Sequence, residues 1–377
     1  MKARIIFMNK KDVLEIKRRF RKEACTFTRM CGCYVDADHN KITKIGETFL
    51  NLDDAEYFKY LDIAKKALSG TLGNNLLELD FPLEEEGTGG RQQFLMGLRE
   101  SKLKNDDLMD TFYDMIIDSY DYVGNYLILI FHDAYDVMTK TSDNDKLDES
   151  EEVYEYLLCA ICPVNLTKPG LGYREDENRI ESRIRDWVVG MPDTGFIFPA
   201  FTERSTDIHS VMFYSKNTNE PHSEFMEAGL GCEAKMTASE KKKVFQNILN
   251  DVLGEDDEEN NKICVEIHSV LDDTLIANGS DPEEESQKVE LTQDILKNCL
   301  DEVGLPQNMA DLILKSRKEL LPVDTLVSEV VDKKAVAEAN KINYIADLKE
   351  LLEAAAIKLS ETYSDDDALV KEIREKI

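Results

Sequence analysis

The chain opens with apolar residues at helical spacing. After Asn9, a residue type that favours the N-cap position, Val13, Leu14, Ile16 and Phe20 fall on one side of the segment 10–23. Cationic residues dominate the other side: Lys17, Arg18, Arg21 and Lys22. The pattern predicts a basic amphipathic helix over residues 10–23.

Further along, the pattern becomes typical of strands. A continuous apolar run, 126–131, lies between Gly124 and the polar pair His132 and Asp133, which predicts a strand buried on both faces. Segments rich in β-branched and aromatic residues predict further strands: 25–35, 41–50, 153–164, 195–201 and 208–215. Helical patterns cover 51–68 and 92–120, with a break near Lys104. We therefore expect an α+β fold, with a mixed β-sheet of about five or six strands covered by helices.

An acidic segment, 255–261, follows a helical pattern over 220–253. Its sequence, EDDEENN, is typical of a linker, and 377 residues exceed what one core usually supports. We predict a first domain over 1–254, this linker, and a smaller helix-rich α/β domain over 262–377. The second domain is expected to hold one strand, 262–271, and helices over 288–303, 307–320, 323–333 and 335–360.

Charge is segregated along the chain. The whole molecule carries a net charge of −30, yet the segment from Lys2 to Met30 holds ten Lys or Arg against three Asp or Glu. That segment is therefore +7, and the rest of the chain is −37. A basic segment on an acidic body can dock on its own body, on another copy or on an external polyanion, and the sequence leaves these three open.

No segment is suited to cross a membrane. The first seven residues, MKARIIF, contain too short an apolar run for a signal peptide, and the longest apolar run, 126–131, is far shorter than a membrane span. We expect a cytoplasmic protein without a membrane partner, whose eight cysteines stay reduced.

Several segments carry a resemblance to a known family. The first are Asn9 to Phe20 (NKKDVLEIKRRF) and Cys25 to Tyr34 (CTFTRMCGCY), and others follow at 68–75, 99–103, 161–165, 185–196 and 207–210. Over about the first two thirds of the chain they resemble a bacterial family, domain-of-unknown-function family 4317. The resemblance implies a cytosolic, Gram-positive protein and assigns no activity or catalytic residue. It begins near Met8, which indicates that residues 1–7 are either an extension or the result of an upstream start assignment. In that case the basic surplus belongs chiefly to the helix from Lys10.

The cysteines do not predict a metal site. Cys159 and Cys162 have the spacing of a chelating pair, but residues three apart in a strand point to opposite faces. Cys25, Cys31 and Cys33 are expected to share one face, and a zinc site there would still need a fourth ligand from elsewhere. We expect buried thiols, with no metal and no cofactor.

Two pairs of His and Asp are the best enzyme candidates. His132 and Asp133 end one predicted strand, Asp207 and His209 begin another, and strand ends are where α/β sites gather ligands. Together they offer ligands for a divalent metal, or a general base with its orienting carboxylate. Alternatively, both histidines are partly buried edge residues that bond to the local backbone.

The single tryptophan, Trp187, lies close to Arg185. Aromatic residues beside arginine are favoured at interfaces and on nucleic-acid-binding surfaces. Large aromatic side chains also dominate cores, so packing of Trp187 over the sheet core is the alternative.

These patterns lead to three functional hypotheses. We favour a non-catalytic binding or regulatory protein that acts through protein contacts or self-association, using the helix 10–23 and the region of Arg185 and Trp187. The second hypothesis is a nucleic-acid-associated protein whose cationic helix contacts phosphates. The third is a metal-dependent hydrolase or nuclease that uses both His and Asp pairs.

Overall fold

The computed structural model describes residues 9–21, 23–47, 52–137, 152–202, 205–254, 258–278 and 289–362. The chain divides into two compact units, Met1–Thr237 and Ala238–Ile377. The first contains a large sheet with helices on both faces, and the second is helical.

Twelve strands are described in the first unit. They are β1 (Arg29–Val35), β2 (Lys41–Glu47), β3 (Leu76–Asp80), β4 (Asn125–Val137), β5 (Glu152–Leu166), β6 (Leu171–Arg174), β7 (Arg179–Ser182), β8 (Trp187–Val189), β9 (Thr194–Phe198), β10 (Ala200–Thr202), β11 (Ser205–Asp207) and β12 (Ser210–Ser215). Eight of them form one sheet in the order β2-β1-β4-β5-β9-β12-β3, with β8 also paired to β5. The pairs β6-β7 and β10-β11 are separate two-stranded ribbons.

The α+β class is confirmed, but the expectation of a mixed sheet is wrong. Every pairing between these strands is antiparallel. Antiparallel neighbours are joined by tight turns, as β1 and β2 are through residues 36–40, whereas parallel neighbours need a long crossover. The sequence patterns also missed β3, β6, β7 and β8. Because β3 and β8 belong to the large sheet, this sheet is wider than expected.

Helices cover both faces of the sheet. These are α1 (Lys10–Arg19), α2 (Asp54–Lys66), α3 (Arg91–Glu100) and α4 (Asp106–Ser119). In the central strand β4, Leu127, Leu129 and Phe131 pack in one core with α1 and α2. The alternate residues of β4 pack in a second core with α3 and α4, together with a short π-helix, Phe225–Gly229. The run 126–131 is therefore buried on both faces, as predicted.

Close packing at the centre of the sheet explains one glycine. Gly195 of β9 lies opposite Ala160 of β5, and a Cβ atom at this position would come within 2.3 Å of the Cys159 carbonyl oxygen. A side chain there would force the two strands apart.

The second unit is built from the helices α5 (Ala238–Leu253), α6 (Glu258–Asn278), α7 (Gln293–Glu302), α8 (Gln307–Leu320), α9 (Val327–Val330) and α10 (Lys333–Thr362). The strand expected over 262–271 is wrong, because this segment lies inside α6. Its buried residues Cys264, Ile267 and Leu271 follow helical spacing. Within the described part of this unit, the only strand-like pairing is the bridge between Glu290 and Leu326.

The division between the units falls after Thr237, 17 residues before the boundary at Gly254 that the acidic segment indicates. Helix α5 packs on α8 and α9, and Lys241 of α5 forms a largely buried ion pair with Glu329 of α9, 2.9 Å between Nζ and Oε2. Of the expected linker 255–261, residues 258–261 begin α6, and 255–257 lie outside the described residues.

Candidate functional site

The start of α1 is fixed by its own sequence. The Asn9 side chain accepts hydrogen bonds from the backbone N–H groups of Lys11 and Asp12, at 2.8 and 3.1 Å. The Asp12 carboxylate accepts one in return from the Asn9 N–H at 3.0 Å, which completes a capping box. The helix therefore begins at a defined residue.

The apolar side of α1 packs on the sheet. Val13, Ile16 and Phe20 are buried, whereas Leu14, predicted on the same side, is exposed. The Phe20 ring lies 5.2 Å from that of Phe27, which in turn stacks on Phe131 of β4 at 5.0 Å. Such aromatic contacts add stabilisation beyond the area they bury.

A polar chain ties the end of α1 to the sheet. Arg19 donates from Nη2 to Thr26 Oγ1 at 2.8 Å, and its guanidinium carbon lies 3.8 Å from the centre of the Tyr135 ring. Thr26 Oγ1 donates to Asp133 Oδ1 at 2.6 Å, and the Tyr156 hydroxyl donates to Asp133 Oδ2 at 2.7 Å. The Asp133 carboxylate thus positions α1, with both oxygens engaged.

The remaining side of α1 is a cationic face, which we define as Lys10, Lys11, Lys17, Arg18 and the following Arg21. Counted from Lys10, positions i+7 and i+8 place Lys17 and Arg18 along one stripe of α1, and Arg21 follows just beyond the end of the helix. Lys17 is half-buried and the others are exposed. None forms an ion pair with a carboxylate that the structure describes. Lys22, also predicted to contribute, lies outside the described residues.

The two His and Asp pairs do not share a site in the described structure. His132 and Asp133 are consecutive in β4 and therefore point to opposite faces. The His132 ring nitrogens lie 2.8 Å from Thr28 Oγ1 and 2.9 Å from Glu155 Oε1, and the side chain is buried. His132 is thus an interior residue with two local partners.

His209 and Asp207 form a separate local cluster. The Asp207 carboxylate accepts from the His209 N–H at 3.0 Å and from Ser210 Oγ at 2.8 Å. The exposed His209 ring lies 2.8 Å from Glu86 Oε1. No hydrogen bond in the described structure joins this cluster to His132 or Asp133, and no group of three or more His, Cys, Asp or Glu there is placed to hold a metal ion.

Burial raises the pKa of the cysteine thiols. Cys159 and Cys162 lie in the two cores on opposite sides of the sheet, as predicted, and burial raises the pKa of Cys162 to about 12. The expectation that Cys25 shares a face with Cys31 and Cys33 is wrong, because Cys25 lies before β1 and packs on the opposite core. All eight cysteines are free thiols.

Arg185 and Trp187 lie in a long β-ribbon that the sequence patterns did not reveal. The pairing of β8 with β5 matches Trp187 to Leu166, and the pairing of β6 with β7 matches Leu171 to Ser182 and Arg174 to Arg179. Backbone hydrogen bonds from Thr167 to Asp186 and from Arg183 to Gly170 keep the same register between them. Residues 163–174 and 179–190 therefore form one antiparallel ribbon, which we call the arm.

The arm exposes several large apolar side chains. Trp187 is 55% exposed, so the alternative that it packs over the sheet core is wrong. Arg185 donates from Nε to the Thr167 carbonyl oxygen at 2.9 Å, which leaves the rest of its guanidinium at the surface. Leu171, Tyr173, Ile180 and Ile184 are each more than half exposed. An open groove of ≈ 570 Å³ runs along this part of the arm.

A further cluster was missed because its members are far apart in sequence. The His222 ring lies 2.8 Å from Asp193 Oδ2 through Nε2 and 3.0 Å from Glu224 Oε1 through Nδ1. The Tyr120 hydroxyl also donates to Asp193 Oδ2, at 3.1 Å. Burial alone would lower the pKa of His222, but the two carboxylates outweigh it and raise this pKa above its ordinary value. His222 has a positive φ of 63°, a strained backbone conformation for a residue other than glycine.

None of the described helices combines the length and hydropathy that crossing a bilayer requires. A search of curated proteins finds no match for this chain. A family model does match, over residues 8–366, which takes in the sheet, the arm and most of the helical unit. The chain therefore belongs to the family described as domain of unknown function, DUF4317.

Proposed function

We propose that this chain is a cytosolic bacterial binding protein without catalytic activity, and that its cationic face binds an acidic surface of a partner protein. The observation that supports this is the set of five cations along α1 with no described carboxylate in ion-pair reach. The chain contains 76 Asp and Glu residues, so it has many carboxylates that could pair with these cations within the same molecule. The region of Arg185 and Trp187 is the second contact surface of the proposal.

The geometry of α1 suits it to recognition. Its capping box and its buried side fix the helix before any partner arrives, so binding loses little conformational entropy. Like charges at helical spacing repel one another, and an acidic partner relieves that repulsion. Each exposed ion pair is worth only about 0.2–1 kcal/mol, so we expect weak binding that falls with added salt.

A protein partner fits the charge distribution better than a nucleic acid does. The stripe of cations from Lys10 to Arg18 spans about 12 Å of helix at 1.5 Å per residue. Duplex DNA carries a negative charge about every 1.7 Å and extends past such a stripe, over a chain that is otherwise −37. An acidic patch on a protein can be as short as the stripe. The hydrolase hypothesis has no observation in its favour, because the two His and Asp pairs are satisfied separately.

The test compares two defined polyanions. Fluorescently labelled poly-L-glutamate and a labelled random-sequence duplex are titrated with the protein at about 50 and 200 mM salt, and binding is followed by anisotropy. We expect poly-L-glutamate to bind at the lower salt. Binding should disappear in the triple variant Lys17→Glu, Arg18→Glu, Arg21→Glu.

A second triple variant controls for net charge. Lys104, Lys297 and Lys318 are exposed and form no described ion pair, so changing all three to Glu alters the net charge equally while sparing α1. This variant should bind as the unmodified protein does. Equal loss in both variants, or no binding of poly-L-glutamate, would overturn the proposal. Tighter binding of the duplex, lost with the α1 cations, would replace it with the nucleic-acid hypothesis.

A further inference from the structure

The arm has two different faces. Since paired residues of a ribbon project to the same side, Leu171 and Tyr173 share a face with their partners Ser182 and Ile180. The opposite face carries Arg174, Arg179 and Glu181, which form ion pairs with one another. One side of β6 and β7 is thus apolar and uncharged, and the other is a network of charges.

The apolar face has no cover in the described structure. Leu171 is 78% exposed, Ile180 63% and Tyr173 58%. The backbone of β6 and β7 is paired only within the arm in the described residues. A two-stranded ribbon is marginally stable by itself and gains stability from a further layer on its apolar side.

The arm is also electrically neutral. From Thr167 to Met191 it holds five Lys or Arg and five Asp or Glu, in a chain of net charge −30. Two chains of this charge repel each other. A contact between their neutral segments therefore keeps the electrostatic repulsion smallest. When the two apolar faces pack on each other, no like charges lie opposite one another. A two-fold axis between the copies lets the same surface of each copy form both sides of the contact.

We infer that the arm binds the arm of a second copy of this chain, through the face formed by Leu171, Tyr173 and Ile180. This inference concerns the face opposite Arg185 and Trp187, so it goes beyond the contact surfaces proposed above, and it does not require the cationic face. The paired length of twelve residues spans about 40 Å, so each copy contributes on the order of 400 Å². The two copies together bury about 800 Å², which is below the size of standard specific interfaces, so the dimer is weak and concentration-dependent.

Sedimentation velocity over a concentration series tests this. The unmodified protein should shift from monomer toward dimer as its concentration rises, and the shift should persist when salt is raised, because the contact is apolar and screening reduces the repulsion between the acidic chains. The double variant Leu171→Lys, Ile180→Lys places charges on the apolar face, at positions that are not paired with each other, and should remain a monomer throughout. Both side chains are exposed, so its thermal unfolding should match that of the unmodified protein.

The control is Leu83→Lys with Val123→Lys, two exposed apolar residues outside the arm. It changes the net charge equally and should dimerise normally. A protein that stays monomeric throughout, or a dimer that survives the arm variant, would overturn the inference. So would a dimer that dissociates in high salt and depends on Lys17, Arg18 and Arg21, since that result would assign self-association to the cationic face and leave the proposed function standing.

Discussion

At the scale of single residues, His222 makes the stability of the first unit depend on pH. Its folded pKa lies above the ordinary value of about 6.5, so its stabilising effect is complete below that pH and is lost as pH rises through the folded value. Asp193 behaves oppositely: the hydrogen bond with His222 lowers its pKa despite burial, so its contribution is lost only in acid.

We expect His222→Gln to remove this dependence. The unmodified protein should lose stability as pH rises above about 6.5 through the raised pKa of His222, whereas the variant should be less stable at pH 6 and nearly flat above it. Urea unfolding at several pH values measures this. His39→Gln is the matched control, because His39 has a similar positive φ of 62° and lies outside the cluster. If the free energy of unfolding of the His222→Gln variant kept the same dependence on pH, the assignment of that dependence to His222 would be contradicted.

Sequence reasoning reached some of these residues and not others. The Asn9 cap and the buried stripe of α1 were predictable, because their partners lie within a few positions along the chain. The His222 cluster was not, since Asp193 precedes it by 29 residues and Tyr120 by 102, and only the fold joins them. Trp187 was ambiguous for a related reason: its residue type suits either a core or an interface.

At the scale of elements, the attachment of α1 depends on the Asp133 network. Tyr156→Phe keeps the buried ring and removes the donor to Asp133 Oδ2, so we expect a loss of about 1–2 kcal/mol in the free energy of unfolding, with faster hydrogen exchange in α1. Tyr126→Phe is the control, because the buried Tyr126 hydroxyl has no hydrogen-bond partner in the described structure. That variant should be neutral or slightly more stable. Equal losses in both would argue against the network.

Two elements show where sequence patterns predict the wrong structure. The segment 262–271 alternates β-branched and polar residues, and this local preference predicted a strand. In the structure, α6 packs on α7, α9 and α10 and buries Cys264, Ile267 and Leu271 at helical spacing, so packing overrides the local preference for a strand. The arm escaped prediction because its strands are short, rich in glycine and charge, and apolar on an exposed face.

At the scale of the whole molecule, the helical unit has the opposite pH response. Burial lowers the pKa of His268, whose Nδ1 accepts from the Asp332 N–H at 3.3 Å and whose Nε2 lies 3.1 Å from Gln246 Oε1. The folded state thus favours the neutral form of the His268 ring. Its contribution is present above pH 6.5 or so and is lost as pH falls through the folded value, by at most about 1.4 kcal/mol per pH unit.

We therefore expect the helical unit to unfold more readily at about pH 5 than at pH 7. Thermal unfolding followed by circular dichroism at 222 nm should show a smaller acid shift in His268→Gln than in the unmodified protein. His209→Gln, a change at an exposed histidine, is the control. If acid shifts the thermal unfolding of the two variants equally, groups other than His268 cause the acid response.

The unbroken register of the arm has a consequence for how such chains can vary in length. A single residue inserted into one strand would turn every side chain beyond it to the other side, so that the ion pairs would replace the apolar surface at the tip. Lengthening without that exchange requires matched insertions in both strands, or an insertion confined to the turn at 175–178. Relatives that share the apolar tip should differ in size at that turn, and by equal increments along the two strands.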